Sequence, residues 1–140
     1  MDDMVGVFAN TLPTRVRVGD DIELCAWLKQ LRAQQLAFRS MEHTPLSAIR
    51  HWTDIPSGMA LFGTAVVFNH RSLQSALRAR NGMWKHREVR VIEKTGFPLT
   101  LYAYAEPECE LALSYDRSRF TQGGVERLLG QLRAAIESMT

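Results

Sequence analysis

Residues 99–115 read LTLYAYAEPECELALSY. Leu99, Leu101 and Ala103 recur at every second position, with Tyr102 and Tyr104 between them, and a period of two is the signature of a strand. Glu106-Pro107-Glu108 stops the pattern, because proline cannot donate to a ladder and favours turns. The alternation then resumes at Leu111, Leu113 and Tyr115. Two alternating runs joined by a short proline-containing turn predict a β-hairpin. Its leucines are expected to face the core and the two tyrosines to face away.

Working outward, Thr121 is positioned to cap a helix over 121–139. Val125, Leu128, Leu129, Leu132, Ile136 and Met139 form one apolar stripe along it. Upstream, residues 88–93 alternate, with Val89 and Val91 on one face. The uncharged run from Leu61 to Phe68 reads as a buried strand. Ser72 could cap a short helix through Leu73 and Leu77, and Pro56-Ser57-Gly58 predicts a turn. Thr44-Pro45 opens a short helix carrying Leu46, Ile49 and Trp52. A longer helix over 22–38 carries Leu24, Trp27, Leu28, Leu31 and Phe38, with Asp20 and Glu23 spaced as a capping box. The opening run VGVFANTLPTRVRV, Val5 to Val18, reads as extended chain with a polar pair, Asn10-Thr11, and Pro13 at its centre. The two simple accounts are a kinked edge strand and two extended pieces joined by a polar crossing. The element order predicts an α+β fold: a two-layer sandwich, a mixed β-sheet with helices packed on one face.

The 140 residues fit a single domain. Their 17 Lys and Arg against 15 Asp and Glu leave a net charge of +2. That weak excess argues against nucleic acid or a membrane surface as the main partner. No segment approaches the ~18 apolar residues of a membrane span, and Met1-Asp2-Asp3-Met4 lacks the basic region of a signal peptide. A cytoplasmic protein is expected. Cys25 and Cys109 are far apart, without CxxC spacing, so neither a disulfide framework nor a zinc site is expected. The four histidines, His43, His51, His70 and His86, show no metal-pair spacing, and no nucleophilic triad is visible. Gly123-Gly124 lacks the strand and lysine of a phosphate loop. Composition and periodicity stop at an α+β domain.

Three motifs go further. VGVFANTLPTRVRV resembles the (I/V)GxFxNTxxxR motif of the condensation domains of nonribosomal peptide synthetases, matching at Val5, Gly6, Phe8, Asn10, Thr11 and Arg15. Residues 33–62, AQQLAFRSMEHTPLSAIRHWTDIPSGMALF, resemble the family's helix, EHxPLxxIxxW and PLFD segments. LALSYDRSRF followed by VERLLGQLRAAIE resembles its terminal hairpin strand and helix. Two departures stand beside the matches: Gly63 replaces the frequent Asp after LF, and Asn69-His70 replaces a more usual Glu-Asn. The catalytic signature HHxxxDG, which in the family precedes the NT motif, occurs nowhere in the 140 residues. The resemblance therefore implies the C-terminal half of a condensation domain, a chloramphenicol acetyltransferase-like half.

It also implies a function. The intact domain would join acyl or peptidyl and aminoacyl thioesters, both tethered to carrier proteins by phosphopantetheine, in a tunnel between its halves. This chain would bind no cofactor or metal itself and would hold no catalytic residue, so it is expected to be inactive alone. Asn10, Thr11, Arg15 and His43 are the candidate groups facing the substrate tunnel or the subdomain junction. For Asn10 the plain alternative is a local Asx turn, and for His43 a helix-start role. The implied partners are an N-terminal condensation subdomain and peptidyl carrier proteins. A non-catalytic module for carrier docking or synthetase assembly is the alternative function. Phe8, Met83-Trp84, Tyr102 and Tyr104, left off the predicted core, suggest self-association of the isolated chain.

Overall fold

A computed structural model describes residues 10–71, 95–106 and 109–139. The readings at Phe8, at the possible helix from Ser72, at Met83-Trp84, at His86 and over the 88–93 alternation lie outside the described residues. The chain divides into two compact units, residues 1–61 and 62–140.

The first unit is built on helix α1, Leu24–Phe38. Its cap is Glu23, not Asp20: the Glu23 carboxylate accepts from the backbone N–H groups of Cys25 and Ala26, both at 3.3 Å. Asp20-Asp21 forms a turn before it. The half-buried stripe of α1 runs Leu24, Trp27, Leu31, Gln34 and Phe38. That is the spacing of one helix face, and it excludes Leu28, which is 45% exposed. A 3-10 turn, Arg39–Met41, ends α1, and helix α2, Leu46–His51, follows with Pro45 at its N-cap. Arg50 of α2 donates to the carbonyls of Pro56 and Met59. It thereby braces the turn at Gly58, whose φ of 97° is open to glycine without a steric cost.

The second unit is an α+β layer: a three-stranded mixed sheet with one helix on it. Strands β1, Thr64–Arg71, β2, Leu99–Glu106, and β3, Glu110–Tyr115, lie in that order. β1 is parallel to β2 and β2 antiparallel to β3. Helix α3, Gln122–Ser138, is capped by the Thr121 hydroxyl, which accepts from the N–H of Gly124 at 3.3 Å. Its stripe is deepest at Val125 and opens toward Ile136 and Met139, 40% and 47% exposed. Together with Leu111 of β3, α3 lines a groove floored by Leu129 and Ile136.

Two expectations are corrected here. Tyr102 does not face away from the core: it is buried, and Thr100 beside it on the same face is the most deeply buried residue described. As the central strand, β2 is covered on both faces, so its alternation does not separate inside from outside. The Thr100 hydroxyl is satisfied by that of Thr95 at 2.6 Å. Conversely, the 61–68 run is not a buried strand. Ala65 is buried, but Val66 and Phe68 are each 69% exposed. The register pairs Val66 with Leu101 and Phe68 with Ala103, placing both on the leucine face of β2. Among the described residues α3 packs against β3.

Candidate functional site

All four candidate residues, Asn10, Thr11, Arg15 and His43, belong to the first unit. The described part of the opening run, residues 10–19, forms neither helix nor strand. The Val16/Val18 alternation is therefore not that of a strand, and both valines are exposed, at 43% and 74%. Instead the segment lies along α1, and helix side chains satisfy its carbonyls. Gln34 Nε2 donates to the Arg15 carbonyl at 2.8 Å, and Trp27 Nε1 donates to that of Arg17 at 3.0 Å. Trp27 and Gln34 are seven residues apart, two turns on one face. The carbonyls of Arg15 and Arg17 both meet donors on that face. Residues 15–17 thus run antiparallel to the helix, which satisfies their carbonyls without a ladder.

Between segment and helix lies an open cleft of about 360 Å³ lined by Arg15, Arg17, Trp27, Gln30, Leu31 and Gln34. Arg15 enters this site through its carbonyl, and the residue is exposed.

Asn10 makes the connection that sequence spacing could not show. Its side-chain amide donates to the carbonyls of Glu42 and Thr44, at 2.9 and 2.8 Å. The contact is not the local Asx turn: it ties the first motif to the Glu42-His43-Thr44-Pro45 motif, 32 and 34 residues away. These carbonyls need such a donor. They follow the last turn of a helix, where carbonyls lack intrahelical partners, and Pro45 has no N–H to offer. Asn10, Thr11 and His43 are exposed and Thr44 is half-buried. Three of the four candidates are thereby associated through one clamp: Asn10 directly, Thr11 as its neighbour and His43 as the residue between the two clamped carbonyls. Arg15 sits further along, at the cleft.

Sequence reasoning missed Gln34 and Trp27 as anchors of the opening segment. The available signal was Gln34 itself, a polar residue three positions after Leu31 on the helix stripe, where a polar group must find a partner. Among the described residues no group of three His, Cys, Asp or Glu could hold a metal ion, and no helix is long and apolar enough to cross a membrane.

An α+β protein with two short motifs locked together by one asparagine is what these elements define. The chain belongs to the condensation domain family, whose model matches residues 1–140. It is similar to two proteins of the linear gramicidin synthase of Brevibacillus parabrevis. One is 39% identical over all of this chain but only 3% of its own length. The other is 35% identical over 97% of this chain and 3% of its own length. Surfactin synthase subunit 3 of Bacillus subtilis (strain 168) is 31% identical over 99% of this chain and 11% of its own length. The chain thus spans a small fraction of these relatives. No solved structure matches it significantly.

Proposed function

We propose that this chain is the C-terminal subdomain of a condensation domain that forms amide bonds in nonribosomal peptide synthesis. The observation that carries this reading is the Asn10 clamp, which joins two family motifs distant in sequence. In the reaction, the amine of an aminoacyl thioester attacks the carbonyl of an acyl or peptidyl thioester. A C–N bond forms, the C–S bond breaks, and the amine's proton passes to the departing thiolate. Such a step gains most from holding both reactants at near-attack distance. A histidine that orients or deprotonates the amine completes it, and in this reading it comes from a half that bears HHxxxDG. The chain itself would supply one tunnel wall, through Asn10, Thr11, Arg15 and His43, and a surface for carrier proteins whose phosphopantetheine arms bring the substrates.

The test is to mix the chain with an HHxxxDG-bearing condensation half and measure mass by light scattering after size exclusion. A one-to-one complex supports the reading. A chain that ignores that half contradicts it, and one that binds carriers but not the half favours the docking-module alternative.

A further inference from the structure

We infer that Asn10 acts as a positioning residue for His43; the inference rests on the condensation reading of this site. Both amide hydrogens of Asn10 are spent. They reach two backbone carbonyls, those of Glu42 and Thr44, and a carbonyl can only accept. The amide is therefore held in one orientation and has no donor left for a ligand. What it fixes are the peptide units on either side of His43. Two further bonds make the turn stiff from the other direction: Thr44 N–H donates to Met41 O at 2.9 Å and Glu42 N–H to Arg39 O at 3.4 Å. Pro45 holds Thr44 in extended geometry as well. His43 thus projects, exposed, from a turn pinned at its ends. An exposed clamp of two bonds contributes little to the fold as a whole, but it decides the direction in which the imidazole leaves the backbone.

The decisive variant is Asn10→Asp, which keeps the size and shape of the side chain but turns both donors into acceptors facing carbonyls. In the 140-residue chain, amide exchange of Thr44 should accelerate by about tenfold or more, the worth of two ordinary hydrogen bonds. The His43 ring signals in the nuclear magnetic resonance spectrum should shift, while exchange at Ala103 in β2 stays unchanged. On acidification the carboxyl regains one O–H donor, and Thr44 protection should partly return. Unchanged Thr44 exchange and His43 signals in both Asn10→Asp and Asn10→Ala overturn the inference.

A second arm uses the domain reconstituted with its HHxxxDG-bearing half. Asn10→Ala and His43→Ala should lower turnover by similar factors, and the double variant by no more than either, since residues acting as one unit are not additive. Additive losses, or full activity in Asn10→Ala, overturn the inference. If the wild-type pair yields no product, the condensation reading fails, and the coupling of Asn10 to His43 is then decided by the exchange and ring-signal measurements alone.

Discussion

Removing the two helix side chains that hold the opening segment should open it without unfolding α1. Trp27→Phe keeps an aromatic ring in the stripe and deletes the indole N–H that reaches the Arg17 carbonyl at 3.0 Å. Gln34→Ala deletes the donor to the Arg15 carbonyl at 2.8 Å. A typical intramolecular hydrogen bond contributes about 1 kcal/mol net, so each variant should raise the open fraction of residues 15–18 about fivefold. Both carbonyls belong to one short segment, so the losses should couple. The double variant should cost at most about 2 kcal/mol, near thirtyfold, and less if the first loss already frees the segment. Trypsin reads this directly, because its cleavage sites after Arg15 and Arg17 sit at the two bonded residues. When opening and closing outpace cleavage, the nicking rate follows the open population. Wild-type nicking rates in the double variant, with α1 intact by circular dichroism, would show that these two bonds do not hold residues 15–18 to the helix.

Thr121→Ala removes the oxygen that caps α3 and should cost about 1 kcal/mol, read as a lower Tm. Thr95→Ala leaves the fully buried Thr100 hydroxyl without its partner at 2.6 Å and should cost about 1–3 kcal/mol by chemical denaturation. Asp116 holds its carboxyl below the usual range, because the Ser118 N–H and hydroxyl donate to it and Arg119 lies near. A carboxylate whose folded value is depressed stabilises above its unfolded value, near 3.9, and the gain is lost as pH falls through the folded value. Asp116→Asn should therefore flatten the stability profile on the acid side of pH 4 only, as followed by thermal melts across pH.

The hairpin, both long helices and the short helix at Pro45 were legible because each is a local pattern: alternation, a stripe, a capping side chain. What misled was the inference from alternation to burial. Tyr102 lies buried because β2 is a central strand, a fact of strand order that no single run discloses. Val66 and Phe68 are exposed for the complementary reason, since β1 lies at the end of the described sheet. At the site, the residue types at Asn10 and His43 were legible from the motifs. Their connection was not, because a side chain bonding a carbonyl 34 residues away leaves no periodic trace.

Mass spectrometry of the condensation reaction separates a half-domain from any other role for this chain. Donor and acceptor thioesters on carrier proteins are given to this chain alone, to an HHxxxDG-bearing half alone, and to both together. The account predicts amide product above the uncatalysed level only when both halves are present; product from this chain alone, or none from the pair, would contradict it.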